Sequence, residues 1–226
     1  FPGVAVPGRL PDDVQALSGG GVEPIDFHIA MGSLPALFRQ RWEDFPEHAG
    51  YMRADPARVA YWRARLESIG PGPMVGVSWR GGFRTTRRQL RSIPLDRWGA
   101  VLAQRGQFIS LQYGDCLSEV EDVERRTGLR VWHWPEVLAD YDETAALVSA
   151  LDLVVSVCTA VIHLGGALGK EVWVLTPATP EWRYLSSGDR LPWYPSVRLF
   201  RQSRAESWDA VVQRASAAYS LRLARS

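Results

Sequence analysis

Cysteine is scarce: Cys116 and Cys158 are the only two among 226 residues. Far apart and without a CxxC partner, they make neither a disulfide framework nor a structural zinc site, and a reducing, cytoplasmic compartment fits them best. Histidine is scarce too. The four residues at 28, 48, 133 and 163 are too scattered for a zinc cluster, and no metal site is expected. Lysine occurs once, at Lys170, beside many arginines, and no function is read from that. Net charge is almost missing at +1, which removes the general electrostatic case for a nucleic-acid or anionic-membrane partner. No apolar run approaches the roughly 20 residues of a membrane helix, and the start lacks a basic-then-apolar signal pattern. A soluble chain with no membrane span is expected. Two phosphate motifs are also absent: no G-x-x-x-x-G-K-[ST] occurs, and the first strand's turn does not match G-x-G-x-x-G followed by a ribose-binding acid. Both the P-loop triphosphatase and the dinucleotide dehydrogenase readings drop.

What is present is enough apolar material for one good-sized core, 46% of the residues. Residues 1 to 50 are turn-rich, and "FPGVAVPGRLPDD" reads as the tail of something longer. Within that stretch Ser33 is placed to cap a short helix carrying Leu34, Leu37 and Phe38 on one face. "DPARVAYWRARLESIG" follows, with Asp55 as N-cap, Pro56 at the first helical position, Val59, Trp62 and Leu66 at helical spacing, and Gly70 as the stop. From Pro73 onward strands and helices alternate: "PMVGVSWR", "SIPLDRWGAVLAQRG", "QFISLQYG", a charged helix at 117 to 127, "LRVWHWP", "DETAALVSAL", "DLVVSV", "TAVIHLGGALG", "EVWVLTP", then "SVRLFRQ" and a closing helix near 205 to 223. Apolar strands joined by helices predict a parallel sheet covered on both faces, an α/β Rossmann-like fold. The predicted boundaries are 1–69 for an N-terminal segment with linker helices, 70–204 for the Rossmann-like domain and 205–226 for the terminal helix.

In such a sheet ligands bind outside the carboxyl ends of the strands. After Val157 the chain turns at Cys158, and a helix beginning near Thr159 would aim its free N–H groups and positive dipole end at the cleft. Thr159 can cap and donate its hydroxyl, Ala160 keeps the approach open, and Gly165, Gly166 and Ala167 let the helix pack close to the sheet. The plain alternative is a capped buried helix with no ligand. A second loop at the same edge, "SWRGGFRTTRRQLRS", carries Gly81 and Gly82 for a tight turn with exposed amides, and Arg80, Arg84, Arg87, Arg88 and Arg91 beside it. Guanidinium groups suit phosphate. Arg84, Arg87 and Arg88 taken singly suit a solvated loop better, whereas Arg91 immediately precedes the next helix. Nucleic-acid binding is disfavoured because no interleaved aromatics accompany the arginines. "DYD" at 140 to 142 resembles an acidic metal pair, with Asp142 read instead as an N-cap. His163, one turn into the candidate helix, faces either the ligand or the sheet.

Taken together, "VGVSWRGG…RSIPLDRW…FISLQYG…DETAALVSALDLVVSVCTAVIHLGGALGKEVWVLTP…EWRYL…PWYPSVRLFRQ" resembles the carboxyl-terminal half of bacterial GT-B glycosyltransferases fused to tetratricopeptide repeats, akin to lipopolysaccharide heptosyltransferases and more distantly to O-GlcNAc transferase. The resemblance implies a nucleotide-sugar donor, with UDP-sugars among the candidates, no other cofactor, a protein or glycan acceptor, and an N-terminal GT-B half that supplies the general base. It implies that Arg91 contacts the donor diphosphate, that Thr159 and Ala160 wrap a phosphate, and that His163 and, less directly, Gln112 line the cleft. It also implies aspartate where Cys158 stands. A thiol at its ordinary pKa of about 8.5 cannot act as that anionic acceptor, so either donor choice has changed or transfer has been weakened or lost. A non-catalytic scaffold or nucleotide-binding module is the alternative carried forward; a catalytic thiolate at the helix N-terminus lacks a matching His/Asn pattern nearby.

Overall fold

The computed structural model describes residues 29–81 and 88–225. The chain divides into two compact units, Phe1–Pro46 and Glu47–Ser226. In the first, α1 (Leu34–Phe38) follows Ser33, which sits at the N-cap without a side-chain capping bond. Local order there comes instead from Asp44, whose Oδ2 accepts from the Gln40 and Arg41 amides at 2.9 and 2.8 Å.

The second unit opens with α2 (Pro56–Glu67). Asp55 caps it by accepting from Ala57 N, Pro56 fills the first turn, and Trp62 and Leu66 are buried. Seven strands then build one sheet in the order β3-β2-β1-β4-β5-β7-β6. They are β1 (Met74–Ser78), β2 (Gln107–Ser110), β3 (Val131–Trp132), β4 (Leu153–Val157), β5 (Val172–Thr176), β6 (Arg190–Leu191) and β7 (Tyr194–Arg201). All pairings are parallel except β6 with β7. The intervening helices are α3 (Gly99–Leu102, entered through a 3-10 turn at Leu95–Trp98), α4 (Leu117–Thr127), α5 (Pro135–Leu138), α6 (Tyr141–Ala150), α7 (Ala160–Ala167) and α8 (Trp208–Leu223).

The strands are apolar on both faces because both faces are covered. Val75, Val77, Leu153, Val155, Val157, Trp173 and Leu175 point to a core closed by α3, α4 and α8. Met74, Val154, Val172 and Val174 point to the opposite core, closed by α2, α6 and α7. The fold is therefore α/β and Rossmann-like, as the alternation predicts. One further local expectation is corrected. The cap of α6 is Asp140, not Asp142: the Asp140 side chain accepts from the Asp142 and Glu143 amides, so this acidic pair is helix-end chemistry. The antiparallel edge strand β6 was not foreseen, since two residues held by a hairpin carry no periodic signal. The compact unit Glu47–Ser226 takes in α2 and α8 with the sheet. The physical reason is burial: Trp62 and Leu66 enter one core and Val211, Val212, Ala215 and Tyr219 the other. Glu143 adds a polar clamp between α2 and α6, accepting from Arg58 Nε at 2.6 Å and Trp62 Nε1 at 2.8 Å.

Among the described residues, no helix is long and apolar enough to cross a membrane. The fold's consequence for function is the switch point. The connection from β1 leads to β2 on one side, while β4 lies on its other side. A crevice opens between the carboxyl ends of such a pair.

Candidate functional site

Two turns meet at that crevice. After β1 the chain passes through Gly81, and after β4 through Cys158. A side chain on Gly81 would place its Cβ 2.5 Å from the Cys158 carbonyl oxygen and 3.4 Å from the Arg91 carbonyl oxygen. Glycine is needed here for close approach of backbones, not for an unusual φ. The Gly81 amide is not left open either, since it donates to Ser92 Oγ at 3.3 Å. Gly82 lies outside the described residues, as do Arg84 and Arg87.

Arg91 reaches the site from the end of a 3-10 turn at Arg88–Arg91. Its side chain is only 12% exposed, and its guanidinium pairs with Glu181 Oε1 at 2.5 Å. The other Glu181 oxygen accepts from Arg183. Glu181 and Arg183 come from the loop after β5, which ends in a 3-10 turn at Trp182–Tyr184. That loop closes at Leu185, whose φ of 57° is the one positive value on a non-glycine among the described residues. Such a conformation persists only where the surroundings over-determine it. Here Arg201 does so, donating to the carbonyls of Tyr184, Leu185, Ser187 and Gly188.

Cys158 is 3% exposed. Burial pushes its thiol up to about 12, and the Tyr184 hydroxyl and Arg91 only partly offset that. A helix N-terminus lowers a thiol pKa, but burial pushes this one the other way, which speaks against a catalytic thiolate. About one thiol in ten thousand would be ionised at pH 8, by the usual titration relation. Ellman's reagent should therefore find no fast-reacting thiol in the native protein and two after unfolding, because Cys116 is buried as well. Stoichiometric labelling of one thiol within seconds would contradict this.

Thr159 occupies the N-cap of α7 but makes no side-chain capping bond. The Ser156 hydroxyl donates to Val157 O at 2.7 Å, so the 3.0 Å contact between Ser156 Oγ and Thr159 Oγ1 has Thr159 as the donor. The threonine hydroxyl thus turns back to the strand, and the first-turn amides of α7 are not taken by it. Ala160 is exposed beside it. Further along α7, Gly166 is necessary because a methyl there would enter the Tyr194 ring. His163 is half-buried between Tyr184 and Tyr194, with ring centroids 6.3 and 5.7 Å away. Burial, then Arg183, pulls its pKa down, with Glu181 opposing.

Two further candidates are turned away from Arg91. Arg80 pairs with Glu119 at 2.9 Å and donates to Asp115 O at 2.8 Å, joining the network in which Trp79 Nε1 donates to Glu119 at 2.6 Å. Gln112 is buried and its amide is spent on backbone: Oε1 accepts from Trp79 N and Arg80 N, and Nε2 donates to Arg80 O and Tyr113 O. It is a clip between the ends of β1 and β2. Of the nine candidates, Gly81, Arg91, Cys158, Thr159 and Ala160 are brought together, with His163 within electrostatic reach of Glu181 and Arg183. Glu181 and Arg183 themselves were missed. The only signal for them was the position of "EWRYL" just beyond an apolar strand.

No protein-family model matches the chain. The chain is 38% identical over 197 residues to Protein FlbA of Caulobacter vibrioides, covering 85% of this chain and 33% of FlbA. Its structure is similar to that of E. coli ADP-heptose LPS heptosyltransferase II, with a TM-score of 0.56 at 14% identity over 81% of this chain and 56% of that one. It is also similar to a family 9 glycosyl transferase of Veillonella parvula, with a TM-score of 0.52 at 11% identity over 69% of this chain and 44% of that one. These likenesses are of fold: a mostly parallel α/β sheet shared with parts of both structures. The chain spans about a third of FlbA and about half of each glycosyltransferase.

Proposed function

We propose that this chain is the nucleotide-sugar donor-binding part of an inverting, metal-independent glycosyltransferase acting on a protein or glycan hydroxyl. The observation that carries the proposal is the meeting of Arg91, Gly81 and the Cys158–Thr159 turn at the switch point of a glycosyltransferase fold. In this reading the donor diphosphate lies between the first turn of α7 and the Arg91 guanidinium. As the anomeric bond breaks, the nucleoside diphosphate gains charge. Amides and a guanidinium held in place stabilise that charge more in the transition state than in the bound donor, which is what acceleration requires. The acceptor and the general base belong to a separate acceptor-side half. The chain by itself then binds donor without transferring sugar.

Calorimetry tests the proposal with UDP, a UDP-sugar, an ADP-sugar and a CMP-sugar, the ADP-sugar included because the E. coli neighbour's name specifies ADP-heptose. Saturable binding that favours one nucleotide-sugar over its bare nucleotide, with no turnover, is the expected result. Equal binding with and without sugar supports a bare nucleotide-binding module instead. A second reading, a scaffold that has kept the fold and lost the chemistry, is favoured by one observation: Cys158 is a buried neutral thiol and offers no anionic acceptor. Absence of binding to any of the four compounds would establish that reading.

A further inference from the structure

The geometry points to a two-guanidinium clamp, Arg91 with Arg183, as the seat of the donor diphosphate, and to Glu181 as a built-in anion that occupies the clamp until the diphosphate displaces it. This rests on the donor-binding reading and adds Arg183 as a phosphate ligand and Glu181 as its gatekeeper.

Four observations carry it. First, Glu181 divides its two carboxylate oxygens between the two arginines, one to each. A carboxylate and a phosphoryl group present oxygens of like charge and similar spacing, so two guanidiniums set to hold one are set to hold the other. Second, Arg91 is nearly buried at 12% exposure, and a buried cation left without an anion is strongly unfavourable. Some anion has to be there in the unliganded protein, and the chain supplies its own. Third, Glu181 is 38% exposed, so its side chain can rotate into solvent without backbone movement. The far end of the loop stays fixed because Arg201 holds the carbonyls of residues 184, 185, 187 and 188. Fourth, the clamp is at the switch point and not elsewhere on the surface: Cys158 feels both Arg91 and Glu181, and His163 feels both Arg183 and Glu181. The clamp with Glu181 in place carries one net positive charge. A diphosphate neutralises the pair of arginines more fully than one carboxylate does, which sets the direction of the exchange, whereas a singly charged ligand gains nothing by it.

The probe is inorganic pyrophosphate, which has neither base nor sugar, titrated into the 226-residue chain and into Glu181→Gln and Arg183→Ala, with thermal unfolding of each chain run with and without pyrophosphate. Glu181→Gln should bind pyrophosphate about tenfold more tightly than the parent, which is about 1.4 kcal/mol. Its melting temperature should fall in anion-free buffer and be restored by pyrophosphate. Arg183→Ala should bind about tenfold more weakly. Opposite signs from two partners of one ion pair are not produced by a purely structural role, in which both variants would lose affinity together. If the two variants bind like the parent, or both bind more weakly, the clamp is overturned while the donor-binding reading stands. If none of the three chains binds pyrophosphate, UDP or ADP, the donor-binding reading falls and takes the clamp with it. Should Glu181→Gln fail to fold, Arg183→Ala decides, with unchanged affinity overturning the proposal.

Discussion

Arg91→Ala is expected to weaken binding of a nucleoside diphosphate about 30-fold, about 2 kcal/mol, whereas Arg84→Ala, which the sequence reads as a loop arginine, should change it by less than about twofold. The asymmetry follows from placement. Arg91 is nearly buried, its guanidinium is fixed by Glu181, and its carbonyl lies against Gly81 beside the Cys158 turn. A guanidinium already oriented loses little freedom on taking a phosphate, so little of its interaction is lost to ordering the side chain. Arg91→Lys should fall between, since it keeps the charge and loses the planar fork. Calorimetry with UDP and ADP reads all three variants. Equal losses from Arg91→Ala and Arg84→Ala would mean that the arginines act as a diffuse charge cloud and that no specific anion seat exists.

Gly169→Ala should destabilise the fold by about 3 to 4 kcal/mol, and Gly128→Ala by only about 1 to 2 kcal/mol. Both glycines have φ of 72°, so both substitutions force a side chain into the left-handed region at a similar penalty. They differ in what lies beyond. A methyl at Gly128 meets nothing within 4 Å, while one at Gly169 would occupy the place of the Ala49 carbonyl. To make room, the 49–52 segment would have to leave the end of α7, breaking the bonds from Tyr51 N and Met52 N to Ala167 O at 2.7 and 2.9 Å. Urea unfolding measures the difference, read as a shift in midpoint at constant slope. The same penalty for both variants would show that the segment does not bear on α7. The effect matters for function because α7 carries the Thr159 end of the candidate site.

The layout of the sheet was legible in sequence because its signals are local. "DLVVSV" and "EVWVLTP" are apolar on both faces and can only be central parallel strands, and Asp55-Pro56 with Val59, Trp62 and Leu66 marks α2 residue by residue. The charged helix at 117 to 127 is found with those same bounds. Gly81 and the Cys158–Thr159 turn could be assigned to one edge because strand direction in a parallel sheet fixes which ends carry loops. Side-chain direction could not be assigned in that way. Gln112 and Arg80 sit in the right loops and are spent on the backbone of β1 and on Glu119, a matter of which neighbour each meets after folding.

Chain order and residue type therefore determined the α/β architecture, the edge that bears the site and the candidacy of Arg91, since each depends on patterns within a few residues or on the handedness of connections. Only the tertiary structure decided that Glu181 closes on Arg91 from 90 positions away while sharing its carboxylate with Arg183, and that Cys158 is buried. Ion pairing and desolvation depend on distances in space and on the depth of the covering layers, which no local pattern of residues encodes.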